Sequence, residues 1–116
     1  MRLIVMGQQA FGKSALEAIL RRGDDEVVAV YCAPDKGDRV DPIKEFALKN
    51  ELTVMQPDNF KAQDVLDSMK EFKSDLCVMA YVTIFVPEEA RNIPTHGSIC
   101  YHPSLLPLHR GPSSIN

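Results

Sequence analysis

The sequence predicts an α/β fold in which helices cover both faces of an open, doubly wound, mostly parallel sheet. Two observations predict this class. Short apolar stretches alternate with amphipathic stretches of helical spacing along the 116 residues, and such alternation is typical of βαβ units. The apolar stretches are also nearly continuous, as is usual for strands that are covered on both faces.

The first half of the chain contains two predicted strands with a helix between them. Residues 2–6 (RLIVM) form one apolar run, and residues 26–32 (EVVAVYC) form a second. Residues 10–22 place apolar side chains at helical spacing, and Gly23 follows where a helix commonly ends. This half therefore predicts a complete βαβ unit.

A second helix is predicted to begin after Asp41, because this residue can cap it and Pro42 suits its first position. A short strand at 52–55 (LTVM) follows. Residues 61–72 then carry apolar side chains at helical spacing, which predicts a third helix.

The last predicted elements are strands at 75–81 (DLCVMAY) and 97–101, with a short helix between them that Pro87 opens. Right-handed crossovers between parallel strands then give a Rossmann-like sheet. Ligands of such sheets bind beyond the carboxyl ends of the strands. Those ends are the turns after Met6, Cys32, Tyr81 and Tyr101.

Composition limits the classes of function. A hydrophobic content of 45% and a charged content of 25% are ordinary globular values, and a net charge of −3 argues against a broad nucleic-acid surface. The apolar run 3–6 is too short for a membrane span. Three widely spaced cysteines indicate reduced thiols and a cytoplasmic protein. These are Cys32, Cys77 and Cys100.

A phosphate-loop pattern, G-x-x-x-x-G-K-[ST], is matched by residues 7–14 (GQQAFGKS) between a strand and a helix. A nucleotide-binding module is therefore an alternative of another class. The bulky residues between the glycines disfavour a loop that wraps phosphates. The other interpretation is a tight strand-to-helix turn at Gly7 and Gly12, with Lys13 and Ser14 solvated. An anion at the helix N-terminus is a third possibility.

The stretch 101–111 (YHPSLLPLHRG) contains the main candidate for chemistry. His102 directly follows a predicted strand, in the zone where such sheets bind ligands, and is well placed for acid–base work. The residues alone are equally consistent with a packed turn and a satisfied histidine.

This stretch resembles the signature of the formyltransferase family, enzymes that use 10-formyltetrahydrofolate. The family includes methionyl-tRNA formyltransferase and the hydrolase domain of 10-formyltetrahydrofolate dehydrogenase. The similarity extends along the chain, through the turn at Gly7, the 34–36 loop with 41–42, and the 85–87 segment. Residues 1–116 would then be the N-terminal part of a formyltransferase catalytic domain.

The resemblance implies a function and a set of site residues. The chain would transfer the formyl group of 10-formyltetrahydrofolate to an amine acceptor or to water, without a metal. His102 would be catalytic and would assist a tetrahedral intermediate. Arg110 would meet an anionic acceptor or the glutamate tail of folate. The folate-binding residues would be Ile84, Phe85, Val86, Ser104, Leu105, Leu106 and Pro107. The alternative is that Ile84 and Val86 are ordinary core residues.

Two departures from the family pattern bear on activity. Cys100 stands where the transferases commonly have an Asn whose amide donates to the formyl oxygen, and a thiol is a weak donor. The residues 101–103 favour the hydrolase type here, and a catalytic thiol is a minor alternative. The family's essential Asp lies beyond Asn116. We therefore expect a sheet that is truncated on its C-terminal side and an isolated chain that does not turn over. A folate-binding remnant without catalysis is an alternative. Any contact with tRNA would be made through C-terminal regions.

Overall fold

The structure, a computed structural model, describes residues 1–101. Within them, five parallel strands form one sheet in the order β3-β2-β1-β4-β5. Helices follow each of the first four strands, so the predicted α/β class and parallel sheet are confirmed. The elements are β1 (Arg2–Gly7), α1 (Gln9–Arg22), β2 (Glu26–Tyr31), α2 (Pro42–Lys49), β3 (Val54–Met55), α3 (Gln63–Glu71), β4 (Leu76–Ala80), α4 (Glu88–Arg91) and β5 (Ser98–Cys100).

Strand β1 lies at the centre of the sheet and contributes to a core on each face. Ile4 and Met6 pack with the residues of α3 and α4, whereas Val5 packs with those of α1 and α2. This alternation follows from the two-residue period of a strand. The chain winds outward from β1 to β3 and then from β4 to β5, so right-handed crossovers place the two helix pairs on opposite faces.

Predicted helix boundaries agree with the structure within a few residues. Asp41 caps α2, since its carboxylate accepts a hydrogen bond from the backbone nitrogen of Ile43, and Pro42 is the first helical residue. Gly23 ends α1 in the left-handed conformation with φ of 70°. Both expectations are confirmed.

The third strand is shorter than predicted, because only Val54–Met55 of residues 52–55 are paired as a strand. Leu52 instead donates its backbone N–H to the carbonyl of Ala47, which closes the end of α2. At this position the hydrogen bond that closes the helix end therefore replaces strand pairing.

The α1 side of the sheet is left partly open over its β4–β5 half. Ile99 and Tyr101 are 51% and 41% exposed, and they border a groove of about 530 Å³ beside α1. No helix of residues 1–101 covers this groove. None of the helices in the same range is long and apolar enough to cross a membrane.

Candidate active site at the carboxyl edge of the sheet

A cleft of about 670 Å³ lies at the carboxyl edge of the sheet, where the sequence predicts a ligand site. Three segments line it. These are the start of α1 with the residue before it, the loop 33–42 after β2, and residues 83–84 after β4.

The carboxylate of Asp41 joins two of these segments. Its Oδ1 accepts hydrogen bonds from the backbone nitrogen of Gln9 at 2.6 Å and from that of Ile43 at 3.0 Å. Helix α1 has no cap from its own N-cap side chain, so Asp41 caps two helices at once. A negative charge at both helix N-termini is favourable. The same carboxylate occupies the place where an anion would otherwise bind to α1.

A second carboxylate anchors the loop after β2. Asp35 accepts hydrogen bonds from Lys44 Nζ at 2.7 Å and from Gln56 Nε2 at 2.9 Å. The bond from Lys44, followed by that from Gln56, holds the pKa of Asp35 below its usual value. Gln56 also donates to the carbonyl oxygen of Ala33. This side of the cleft is therefore tied to α2 and β3.

Two cations border the cleft from the same loop. Lys36 and Arg39 face each other across a tight turn, in which Gly37 adopts a φ of 61°. Both side chains line the cleft, and neither forms an ion pair with residues 1–101. This wall can meet an anionic group.

The loop after β4 contains the three residues expected to hold the pterin, and they have different surroundings. Ile84 is half-buried and lines the cleft. Phe85 is 67% exposed, and Lys61 Nζ lies 5.5 Å from its ring centroid. Val86 is buried in the core, and its carbonyl oxygen accepts a hydrogen bond from Arg91. The core interpretation therefore applies to the Val86 side chain.

One side-chain hydrogen bond within residues 1–101 joins this loop to the start of α1. Thr83 Oγ1 donates a hydrogen bond to Gln8 Oε1 at 3.0 Å. Gln8 is 8% exposed, one of two buried polar residues among residues 1–101. The sequence analysis did not single out either residue. Their chain separation of 75 residues leaves no local signal, although Gln8 does follow a predicted strand end.

An aromatic cluster lies where β4 and β5 end. The Phe11 ring centroid is 6.5 Å from that of Tyr81 and 5.9 Å from that of Tyr101. Tyr81 has a φ of 58°, in the left-handed region, which costs about 1–2 kcal/mol for a residue with a side chain. Since Tyr101 immediately precedes His102, this cluster fixes the position from which the candidate catalytic segment departs.

Of the other candidate residues, Cys100 lies exposed on β5, opposite Met79. Burial raises the pKa of Cys32 to about 11 and that of Cys77 to about 12, as expected for thiols packed in a core. The remaining candidates lie outside the described residues, namely His102, Ser104, Leu105, Leu106, Pro107 and Arg110.

The phosphate-loop pattern at residues 7–14 has the wrong geometry for that function. Helix α1 begins at Gln9, so most of the segment that would wrap a phosphate is helical. A Cβ on Gly7 would lie 2.5 Å from the carbonyl oxygen of Ala80, and one on Gly12 would lie 3.0 Å from the carbonyl carbon of Gly7. Both glycines therefore permit close backbone packing. Lys13 and Ser14 are exposed, which confirms the interpretation as a tight turn.

The strand order and the cleft at the carboxyl edge define a Rossmann-like α/β protein with its ligand site at the strand ends. Solved structures of the same fold include phosphoribosylglycinamide formyltransferase from Bacillus halodurans, with a TM-score of 0.68 and 18% identity over 98% of this chain and 62% of that chain. The enzyme from Campylobacter jejuni has a TM-score of 0.64 and 23% identity over 98% of this chain and 64% of that chain.

A sequence model of the formyl transferase family matches residues 1–116, so the chain belongs to the formyltransferase family. Human cytosolic 10-formyltetrahydrofolate dehydrogenase is 38% identical over 121 residues, covering all of this chain and 13% of that protein. Methionyl-tRNA formyltransferase from Acetivibrio thermocellus is 38% identical over 122 residues, covering all of this chain and 39% of that protein. The chain thus spans well under half of these relatives.

Proposed function

We propose that this chain is the N-terminal part of a catalytic domain that moves the formyl group of 10-formyltetrahydrofolate to an amine or to water. The observation that carries the proposal is the family match over all of residues 1–116. The cleft at the carboxyl edge supports it, since its volume of about 670 Å³ lies within the range of small-molecule sites, about 300–1,000 Å³.

The proposed reaction needs an oxyanion stabiliser and a proton carrier. The acceptor nitrogen or water oxygen attacks the formyl carbon and gives a tetrahedral intermediate with an oxyanion. The bond from this carbon to the folate nitrogen then breaks, and the proton released by the nucleophile ends on that nitrogen. His102 takes the role of stabilising the oxyanion and assisting the proton transfer.

On the donor side, the pterin lies against the loop after β4. Ile84 offers an apolar side chain at the cleft, and Phe85 offers an exposed ring. The side chain of Val86 remains in the core. Ser104, Leu105, Leu106 and Pro107 complete this side of the site, and Arg110 is available to an anionic group.

A binding measurement separates the proposal from the nucleotide-binding alternative. Isothermal titration of the protein at its natural length with a 5-deaza analogue of 10-formyltetrahydrofolate should give one-site binding, whereas ATP with magnesium should give none. A His102→Ala variant should bind the analogue but lose formyl release. Binding of ATP with magnesium, without binding of the folate analogue, would contradict the proposal.

For the acceptor, Lys36 and Arg39 favour an anionic amine over water, because both cations line the cleft without an ion-pair partner in residues 1–101. The residues 101–103 favour the hydrolase type instead. Charge reversal in K36E/R39E should raise the KM for an anionic acceptor at least several-fold and leave the KM for folate unchanged. Unchanged formyl release by this variant, with water as the acceptor, would assign the hydrolase reaction.

The compartment we propose is the cytoplasm. Cys32, Cys77 and Cys100 are all free thiols, which suits a reducing environment.

A further inference from the structure

The side chain of Gln8 is buried at the edge of the cleft, and it does not cap the helix that it precedes. Gln8 is the N-cap residue of α1, with an extended backbone, but its side chain makes no capping hydrogen bond. Its Oε1 instead accepts the hydrogen bond from Thr83 Oγ1. The cap is provided by Asp41, which accepts a hydrogen bond from the backbone nitrogen of Gln9 across 32 residues of chain.

The oxygen and the nitrogen of the Gln8 carboxamide therefore differ in their hydrogen bonding. A primary amide has an acceptor oxygen and two N–H donors. Thr83 satisfies the oxygen, whereas Nε2 of Gln8 donates to no atom of residues 1–101. This nitrogen is not one of the buried unpartnered side-chain atoms of residues 1–101, which are the hydroxyls of Tyr31 and Ser74, so it remains accessible to solvent. Gln8 lines the large cleft together with Thr83 and Ile84, so a ligand in the cleft can accept a hydrogen bond from Nε2 in place of solvent.

The contact with Thr83 also connects two walls of the cleft. The β1–β4 ladder ends at the pair Gly7 and Ala80. Beyond it, the hydrogen bond from Thr83 to Gln8 is the only one in residues 1–101 that joins the start of α1 to the loop after β4. Gln8 therefore helps to position Ile84, one residue after Thr83, which also packs against the core.

We infer that Gln8 is a folate-site residue with two ends: its Oε1 holds the loop after β4 through Thr83, and its Nε2 donates a hydrogen bond to an oxygen atom of the bound formyl-folate. The inference deepens the proposed function and rests on it. It places an amide donor at the cleft of a chain whose Cys100 side chain is only a weak donor.

Two substitutions separate the two ends. Gln8→Glu keeps an oxygen for Thr83 and removes the donor, whereas Thr83→Val removes the hydroxyl and leaves the donor without its support. Each should weaken binding of the 5-deaza folate analogue about 2- to 10-fold, the effect of losing one neutral hydrogen bond. Gln8→Glu should in addition lower kcat, while Thr83→Val should act mainly on the KM for folate.

Matched controls make the result specific. Thr83→Ser retains the hydroxyl and should restore affinity. Thr95→Val makes the same chemical change at an exposed position before β5 and should leave affinity unchanged. Unfolding in urea is measured for every variant, because a loss of stability that is not accompanied by a change in folate affinity would show a merely structural role and overturn the inference.

The remaining outcomes are also distinguishable. If the unsubstituted protein does not bind the folate analogue, the proposed function itself fails. If it binds, and Gln8→Glu and Thr83→Val bind equally well, the proposed function stands and the role of Gln8 is wrong.

Discussion

The carboxylate of Asp41 shows how much of the cleft depends on a single side chain. It is the N-cap of α2, and it also accepts the first backbone N–H of α1. The first role is predictable, since Asp before Pro is a common helix start. The second is not, because the contact to Gln9 spans 32 residues of chain. A local sequence pattern can predict a cap from a neighbouring residue. It carries no information about a cap provided by a residue distant in the chain.

Replacing Asp41 with Ala should therefore destabilise the protein more than the loss of an ordinary cap, which costs about 0.5–2 kcal/mol. Two helix N-termini lose their acceptor together, so we expect a decrease near or above the upper end of that range. Urea unfolding measures the change. Asp41→Asn, which keeps an acceptor oxygen, should recover part of it. Asp38→Ala in the same loop should have little effect, because Asp38 is exposed.

Buried ionisable side chains predict how the protein responds to alkali. Burial raises the pKa of Cys32 to about 11, and those of Cys77 and Tyr31 to about 12. In the unfolded chain these groups ionise near their ordinary values, so the unfolded state loses protons first. The free energy of unfolding should thus be unaffected by these groups below about pH 8 and fall as pH rises through 9 to 12. Urea titrations across this range test it, and a rise in stability there would contradict it.

At the scale of elements, the packing of α1 against the strand ends explains why the phosphate-loop pattern misleads. The pattern requires glycines at positions 7 and 12 so that a loop can wrap phosphates. Here the same glycines allow β1, β4 and α1 to approach closely. Sequence letters cannot distinguish the two uses, because they differ in where the helix begins. The third strand shows the same limit, since the end of α2 shortens it at Leu52.

Alanine at each glycine tests this packing. In Gly7→Ala the new Cβ would lie 2.5 Å from the carbonyl oxygen of Ala80, and backbone cannot move away cheaply, so we expect a loss of about 1–3 kcal/mol or more. In Gly12→Ala the closest backbone atom is 3.0 Å away, and the gain in helix propensity of about 1 kcal/mol offsets part of the strain.

The expected order of stability is therefore Gly12→Ala above Gly7→Ala. Ser14→Ala, at an exposed position of the same helix, serves as the reference for a change without new contacts. A Gly7→Ala variant as stable as the unsubstituted protein would mean that the close approach of β1 and β4 is not required.

At the scale of the whole molecule, the α/β class and the parallel sheet were predictable from the alternation of apolar and amphipathic stretches. The strand order was not. Each crossover can place the next strand on either side of the sheet, and no local pattern encodes that direction. The strands are added in one direction across the sheet from β1 to β3, and in the opposite direction from β4 to β5. This change produces two separate cores and brings the loops after β1 and β4 together at the cleft.

This topology predicts an order of hydrogen exchange. The amides of β1 are enclosed by neighbours on both sides, whereas β3 and β5 are short edge strands of two and three residues. Exchange measured by mass spectrometry or NMR should be slowest in β1 and its partners β2 and β4, and fastest in β5 and β3. Protection of β5 equal to that of β1 would indicate that something outside residues 1–101 pairs with this edge.

The aromatic cluster of Phe11, Tyr81 and Tyr101 has a spectroscopic consequence. Residues 1–116 contain no tryptophan and three tyrosines, so tyrosine dominates the circular dichroism of this chain between 270 and 290 nm. Tyr31 is enclosed in the core. The other two tyrosines stand at the ends of β4 and β5, in contact with the first turn of α1. Two of the three tyrosines of this chain thus lie at the carboxyl edge of the sheet, where their circular dichroism can report an arriving ligand without any attached label.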